Sequence, residues 1–242
     1  MFMTGSLLDR VSILFRDNCK MALLVIDEHD DAVLPAQSES GISALTKSGN
    51  EIGSILLPTS TVTACQQRLL MYMQRMDIPV FCIKQDSDKY GPLRQQITAL
   101  YAPPKITIEK SGYNAFGIKT WIASSEGGRD RQEALLRNVL RHRIRNIPHN
   151  TSHNPQQSTP ILHQKLKEKG VTHLIIMGWN ANVCVASTVG TFIPRNVLDS
   201  LADDSPGAIQ LGYKVMTCRT ILHEIAHWEN HPSSKIEFFS RL

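Results

Sequence analysis

The sequence predicts an α/β protein built on a parallel sheet with helices on both faces. Short apolar runs rich in β-branched residues recur along the chain, and segments with helical periodicity separate them, which is typical of buried parallel strands joined by helices. Of the 242 residues, 42% are hydrophobic, enough for a core that needs no disulfide or structural metal. The predicted strands are Met21–Ile26, Pro79–Ile83, Ile106–Ile108, Val171–Met177 and Tyr213–Thr217.

Two segments between these strands have the marks of helices. Thr59–Arg75 opens with Thr and Ser cap candidates and repeats apolar residues at intervals of three and four, and Pro160–Lys169 ends before Gly170, a residue typical of helix ends. We expect one domain over residues 1–242. Three stretches are predicted to be additions to its core, near 37–54, 124–157 and 192–210.

Charge gives little reason to expect a polyanionic partner. The formal net charge is +4, too small an excess to require a nucleic acid or an anionic membrane. The addition at 124–157 is rich in Arg, but acidic residues are interleaved with the basic ones and no aromatic platform accompanies them. We therefore expect a solvated helix or a subunit contact there, and no nucleic acid.

The cysteines and the apolar runs bear on the compartment. Five cysteines are scattered without the spacing of a disulfide framework or a zinc ribbon, so reduced thiols are expected. Met1–Phe15 lacks the apolar core of a signal peptide, and the longest apolar stretch, Met21–Ile26, is too short to span a bilayer. We expect a cytoplasmic protein with no membrane partner.

Three reactive residue types lie at predicted strand ends. Asp27 follows the first strand, Lys110 follows the third, and Cys184 comes shortly after the fourth, before a run with helical character. Strand ends at one edge of a parallel sheet gather reactive groups, and a helix N-terminus with a nearby lysine activates a thiol. The alternatives are ordinary: a helix cap for Asp27, a solvated lysine, and a small core residue for Cys184.

Three segments resemble the signatures of the isochorismatase-like cysteine hydrolases in order and spacing. They are LLVIDEHDDAV (Leu23–Val33), KSGYNAF (Lys110–Phe116) and HLIIMGWNANVCVAST (His173–Thr188). This superfamily includes nicotinamidases, N-carbamoylsarcosine amidases, ureidoacrylate-type amidohydrolases and isochorismatases. The resemblance covers the core strands and their adjoining helices, and the three additions have no counterpart in it.

The resemblance implies a specific site and fold. It places the catalytic triad on Asp27, Lys110 and Cys184, and the oxyanion hole on the backbone N–H groups of Asn180 and Cys184, with a cis peptide between Trp179 and Asn180. It also implies a Rossmann-like, three-layer α/β/α fold whose sheet of about six parallel strands has the order 3-2-1-4-5-6. Asp27 and Cys184 would then flank one crevice at the point where the strand order reverses.

Departures from the family pattern concern the substrate pocket and a metal. His29 stands where the family usually has Gln, so we expect a reshaped pocket lined by His29, Phe116 and Trp179. Nicotinamidases have an Asp-x-His metal site after the second strand, whereas the segment Lys84–Asp88 contains no histidine. We therefore expect neither a metal nor an organic cofactor.

A competing motif occurs near the end of the chain. His223, Glu224 and His227 spell H-E-x-x-H, in which two histidines one helical turn apart bind zinc and the Glu activates water. Glu237 is the only nearby candidate for a further ligand of the gluzincin kind, but no chain remains for the substrate-aligning strand and lower subdomain of a zincin. A coincidence on a surface helix is the preferred interpretation, with adventitious metal binding as a second possibility.

The predicted function is therefore hydrolysis of a small-molecule amide, carbamoyl or related C–N bond through a Cys184 thioester, by a protein that forms a homo-oligomer. One alternative is the vinyl-ether hydrolysis of isochorismatases, which some relatives perform without a nucleophilic cysteine. Another is a catalytically retired interaction protein that uses its additions to bind a partner.

Overall fold

Seven strands form one sheet in the computed structural model. Their order is β4-β3-β2-β1-β5-β6-β7, and only the β3–β4 pair is antiparallel among the pairs described. Numbered by themselves, the six parallel strands have the order 3-2-1-4-5-6, so the predicted fold class is confirmed. The strands are β1 (Met21–Ile26), β2 (Val80–Gln85), β3 (Ile106–Lys110), β4 (Thr120–Ile122), β5 (His173–Gly178), β6 (Lys214–Cys218) and β7 (Ile236–Phe239).

The structure describes part of the chain, and the additions predicted at 37–54 and 124–157 lie outside that part. Of the third predicted addition, only 205–210 are described. The described residues are 5–29, 59–85, 97, 100, 106–110, 112–117, 120–122, 160–191, 205–223 and 236–242.

The two central strands carry the core. Every residue of β1 and of β5 is buried, because each strand has a neighbour on both edges and helices pack on the sheet faces. In their parallel register Met21 is opposite His173 and Ile26 is opposite Gly178. The two strands therefore end level with each other, so the residues that follow them, Asp27 and Trp179, leave the sheet side by side.

Helices flank the sheet. Helix α2 (Thr59–Arg75) has the predicted bounds, and α3 (Ile161–Glu168) lies within the predicted Pro160–Lys169. The short α4 (Ala186–Val189) continues a π-helical turn, Ala181–Val185. None of the helices in the described ranges is both long and apolar enough to cross a bilayer.

The first helix, α1 (Leu7–Arg16), was not among the predicted elements. Ser6 caps it by accepting a hydrogen bond from the Asp9 backbone N–H, and a stripe of buried Leu7, Val11 and Leu14 faces the core. Arg10 forms two hydrogen bonds of 2.7 and 2.8 Å with Glu237 of β7. This pair fixes α1 to the edge of the sheet.

Candidate active site

Asp27 lies at the exit of β1, in the middle of the sheet. Its backbone N–H donates to the Ile83 carbonyl of β2 at 2.9 Å, and its φ of 49° places it in the left-handed region, which a residue with a Cβ rarely adopts. The carboxylate is buried, and Oδ2 accepts a hydrogen bond from Lys110 Nζ at 2.7 Å. The local backbone thus turns this side chain away from the strand direction and into a buried ion pair.

Lys110 is the last residue of β3 and is completely buried. Its ammonium group donates to Asp27 Oδ2, to Gln85 Oε1 at 2.9 Å and to the Gly112 carbonyl at 3.0 Å. Three N–H donors therefore meet three acceptors, which is what an ammonium group requires away from water. The alternative of a solvated lysine is wrong for this residue.

Cys184 lies in the π-helical turn that follows β5. The thiol is buried and interacts with both Asp27 and Lys110. The structure therefore brings together the three side chains that the sequence placed at separate strand ends. Because Asp27 Oδ1 has no hydrogen-bond partner among the described residues, one carboxylate oxygen is available to accept a proton.

Burial and the neighbouring charges shift the pKa values of Cys184 and Lys110. Burial raises the pKa of the Cys184 thiol, and the Asp27 carboxylate adds to this effect against the opposing effect of Lys110. Burial alone would lower the pKa of Lys110, but Asp27 and Cys184 outweigh it, so this pKa lies above its ordinary value. At neutral pH the resting site therefore holds a neutral Cys184 thiol beside the Lys110 ammonium group.

The turn between β5 and Cys184 depends on a glycine. Gly178 has a φ of 134°, and a Cβ built on it would lie 2.0 Å from the Ile26 carbonyl oxygen. The Trp179 N–H donates to the same carbonyl at 2.9 Å, so the backbones of β1 and β5 approach closely here. The next peptide bond, between Trp179 and Asn180, is cis.

The Asn180 carbonyl organises the π-helical turn. It accepts hydrogen bonds from the N–H groups of Val183 and Val185, both at 3.1 Å, while the Asn180 side chain accepts from the Asn182 N–H at 2.9 Å. The residues on either side of Cys184 are thereby both hydrogen-bonded to the Asn180 carbonyl, which fixes the backbone of Cys184. The assignment of the Asn180 and Cys184 N–H groups to an oxyanion hole stays a prediction.

Comparison with solved structures identifies the architecture. An isochorismatase family protein aligns over 91% of this chain and 98% of its own, with a TM-score of 0.52 and 14% identity. A nicotinamidase from Staphylococcus aureus aligns over 93% and 99% of the two chains (TM-score 0.49, 15% identity), and a ribonuclease from Caenorhabditis elegans over 87% and 68% (0.47, 13%). The chain has the isochorismatase fold. No protein-family model and no curated protein sequence matches it.

Within this isochorismatase fold, the three predicted pocket residues have different surroundings. Phe116 is completely buried and stacks on Tyr213, with ring centroids 5.9 Å apart, which favours a packing role. His29 is also buried, and its Nε2 accepts the Gln85 backbone N–H at 3.2 Å, so the proton of the neutral ring lies on Nδ1. Trp179 is half-buried and directly follows β5. It is therefore the most exposed of the three side chains and the one best placed to contact a ligand.

The last two residues of β2 are paired with β3. Lys84 forms an ion pair with Glu109 at 2.6 Å, and Gln85 accepts from Lys110, so the described residues at this strand end are already engaged with protein groups. Over the described ranges, no group of three His, Cys, Asp or Glu side chains is arranged to hold a metal ion.

The first histidine of the H-E-x-x-H motif is a core residue, so the interpretation of this histidine as part of a surface helix is wrong. His223 is buried and is not part of a helix. Its backbone N–H donates to the Gly178 carbonyl, and its backbone carbonyl accepts the Ala181 N–H. Glu224 and His227 lie outside the described residues. Glu237, the other candidate ligand, is paired with Arg10.

The sequence analysis gave no role at the site to four buried polar residues, although it named His223 in the H-E-x-x-H motif. Gln85 holds Lys110, and Glu28, Gln66 and His223 form a cluster that begins at the residue after Asp27. A signal for Gln85 was available, because a polar residue that extends an apolar strand to its carboxyl end lies at the edge where the site forms. Gln66 offered none, since it occupies an ordinary polar position within a helix.

Proposed function

We propose that this chain is a cysteine hydrolase of isochorismatase type that cleaves a small-molecule amide, carbamoyl or related C–N bond through a thioester on Cys184. The observation that carries the proposal is the buried Asp27–Lys110 pair beside the thiol, with Asp27 Oδ1 unpartnered among the described residues. A carboxylate fixed by an ammonium group and facing a thiol is a nucleophile with its proton acceptor.

The first step forms the tetrahedral intermediate that precedes the thioester. Asp27 Oδ1 takes the thiol proton as Sγ of Cys184 bonds to the substrate carbonyl carbon, and the carbonyl oxygen takes up the negative charge. Lys110 stabilises the developing thiolate through its charge. The N–H groups of Asn180 and Cys184 would hold the oxyanion, a contribution worth about 3–4 kcal/mol for one donor in such sites.

The remaining steps return the proton. Asp27 gives it to the leaving nitrogen, the C–N bond breaks, and the amine departs from the thioester. Asp27 then removes a proton from water as the water oxygen attacks the thioester carbonyl, and the C–S bond breaks with return of that proton to sulfur. The cycle balances with Asp27 as the sole proton carrier and needs no organic cofactor.

The ionisation of the resting site supports the role of Asp27. Burial raises the pKa of Cys184, so a preformed thiolate is not the resting species at neutral pH. A thiol of this kind requires a base at the moment of attack. Asp27 is suited to this task because its other oxygen, Oδ2, accepts a hydrogen bond from Lys110, which fixes the orientation of the carboxyl group.

A substrate panel tests the proposal. Wild type, Cys184→Ala and Cys82→Ala would be assayed on nicotinamide, carbamoyl amino acids, ureido acids and isochorismate, with mass spectrometry of quenched reactions to detect an acyl group on Cys184. Cys82 is a buried cysteine within β2 and serves as the matched control. We expect hydrolysis of a C–N substrate by wild type and Cys82→Ala, an acyl adduct on Cys184, and no turnover by Cys184→Ala.

Other outcomes favour the alternatives. Equal turnover by wild type and Cys184→Ala would remove the thioester mechanism, and turnover of isochorismate alone in both would favour vinyl-ether hydrolysis. Activity that disappears with a chelator and returns with zinc would contradict the metal-free mechanism. Inactivity on every substrate, together with a partner lost on deletion of 124–157, would favour an interaction protein.

A further inference from the structure

Three buried polar side chains form a cluster that begins at the residue after the candidate base. Glu28, Gln66 and His223 expose 1%, 0% and 6% of their surface, and the proposed reaction uses none of them. Glu28 is the residue after Asp27, Gln66 belongs to α2, and His223 lies beyond β6. Gln66 Oε1 and His223 Nε2 have no hydrogen-bond partner among the described residues, and because buried polar groups are normally satisfied, the arrangement of this cluster calls for a role.

Gln66 connects two segments that are distant in the sequence. Its Nε2 donates one hydrogen bond to Oε1 of Glu28 and another to the Ile221 carbonyl at 3.1 Å. A side-chain amide has two N–H donors, so both are used in this bridge. One end of the bridge is the strand exit that carries Asp27, and the other is the turn Arg219–Ile221 after β6.

The segment held by Gln66 in turn supports the turn after β5. Leu222 forms a parallel bridge with Gly178, the His223 N–H donates to the Gly178 carbonyl at 3.1 Å, and the Ala181 N–H donates to the His223 carbonyl at 3.0 Å. His223 Nε2 also lies 3.5 Å from Glu28 Oε1. The residues that precede and follow Trp179–Asn180 are thus fastened to this segment.

We propose that Gln66 is a positioning residue that sets the turn containing the Asn180 N–H relative to Asp27. This inference rests on the proposed function, since it concerns the oxyanion hole of that reaction. The candidate base is held by other contacts: Asp27 is fixed by the Ile83 carbonyl and by Lys110. Loss of the Gln66 bridge therefore shifts the Asn180 N–H and leaves the Asp27–Lys110 pair in place.

Two reagents that both react with Sγ of Cys184 separate an effect on the oxyanion hole from an effect on the thiol. With p-nitrophenyl acetate, the C–S bond forms, the thiol proton passes to Asp27 and p-nitrophenolate leaves, through a tetrahedral oxyanion. With iodoacetamide, the C–S bond forms as the C–I bond breaks, the proton passes to Asp27 and iodide leaves, without an oxyanion. Only the first reaction depends on the oxyanion hole, so the ratio of the two rates reports on it.

The decisive variant is Gln66→Met, which keeps the length of the side chain and removes both donors. We expect acylation of Cys184 to fall about ten- to a hundredfold, the range that a displacement of about 1 Å produces in a catalytic group. Alkylation of Cys184 by iodoacetamide is expected to change less than about twofold, because no oxyanion forms in that reaction.

A second pair of variants tests the same bridge from its other end. Glu28→Gln keeps an oxygen acceptor for the Gln66 amide and should retain most of the acylation rate, whereas Glu28→Met should resemble Gln66→Met. His173→Gln is the matched control: it is a buried histidine that begins β5, at the opposite end of that strand from the turn. Its ratio of acylation to alkylation should equal that of wild type.

The outcomes are distinguishable from failure of the proposed function. If wild type shows neither acylation nor alkylation of Cys184, the proposed reaction falls and this inference falls with it. If wild type reacts with both reagents and Gln66→Met and Glu28→Met keep the wild-type ratio, Gln66 has no positioning role while the cysteine chemistry stands. A selective loss of acylation, rescued in Glu28→Gln, supports the inference.

Discussion

Lys110 Nζ lies 2.7 Å from Asp27 Oδ2, with 0% and 2% of the two side chains exposed. The lysine ends one strand and the aspartate follows another, so the sheet order, with β2 between β1 and β3, brings them to the same edge. A buried pair of this kind makes the stability of the fold and the chemistry of the site depend on the same two charges.

The first prediction concerns removal of the cation alone. Lys110→Met leaves the Asp27 carboxylate buried without its partner, so we expect a loss of about 3–5 kcal/mol in the free energy of unfolding. The double variant Asp27→Asn with Lys110→Met removes both charges and should be more stable than Lys110→Met. Urea denaturation of wild type, both single variants and the double variant gives the coupling energy. Strict additivity of the losses would contradict a mutually dependent pair.

The second prediction concerns the reactivity of Cys184. Lys110 lowers and Asp27 raises the pKa of its thiol. Lys110→Met should therefore slow alkylation by iodoacetamide near neutral pH. Asp27→Asn should also slow it and should abolish turnover, because the thiol loses its base and the amine loses its proton donor. Peptide mass spectrometry follows Cys184 and the half-buried Cys65 in the same sample. Unchanged alkylation of Cys184 in either variant would contradict the assigned roles.

The third prediction is a loss of stability at alkaline pH. Burial raises the pKa of Cys184 above its ordinary value of 9.0, so the unfolded chain loses this proton at a lower pH than the folded chain. The corresponding stabilisation is complete below pH 9.0 and falls above it by about 1.4 kcal/mol per pH unit per group. Burial also raises the pKa of Cys218, to about 11, which acts in the same sense.

Denaturation midpoints between pH 8 and pH 10.5, converted to free energies, check this dependence. Cys184→Ala removes one of the titrating groups, so its free energy of unfolding should decline less steeply with pH than that of wild type. Cys218→Ala should show a smaller change in the same direction. An unaltered slope in Cys184→Ala would mean that the thiol ionises equally in the folded and unfolded chains.

The fourth prediction compares two glycines with positive φ. A Cβ at Gly178 would lie 2.0 Å from the Ile26 carbonyl oxygen, whereas one at Gly170 meets no atom within 4 Å. Gly170→Ala should therefore cost only about 1–2 kcal/mol, the backbone penalty of the left-handed region. Gly178→Ala adds a clash between β1 and β5 and should cost clearly more. Similar melting temperatures for the two variants would show that the strand ends can separate at little cost.

The sequence predicts the centre of this fold better than its edges. The predicted bounds of one helix and one strand agree with the structure at both ends, namely Thr59–Arg75 and Met21–Ile26. A long amphipathic helix and a fully apolar strand leave little ambiguity in the sequence pattern. Thr120–Ile122 and Ile236–Phe239 were not predicted. Each has only three or four residues and gains its strand conformation by pairing with a longer neighbour, which local pattern does not reveal.

The candidate site was predictable for the residues that do chemistry and much less for those that support them. Lys110 was singled out by its place after a predicted strand, and the resemblance assigned it a role. The structure shows β3 ending at Lys110 and β2 ending at Gln85, two residues beyond the predicted apolar strands. Gln85 and Lys110 are polar, so the apolar pattern did not predict that the strands extend to them. The register of β2 and β3 places the two residues opposite each other, which allows the hydrogen bond between their side chains.

The three acceptors around the Lys110 ammonium group also bear on which groups can transfer protons in the proposed reaction. Each of its N–H groups donates to a protein oxygen atom, and its pKa lies above the ordinary value, so we expect the group to stay charged throughout the proposed reaction. Lys110 would then act as a fixed electrostatic element that transfers no proton. A proton inventory of the reaction in mixtures of light and heavy water should consequently contain the sites on sulfur, carboxylate, substrate and water alone.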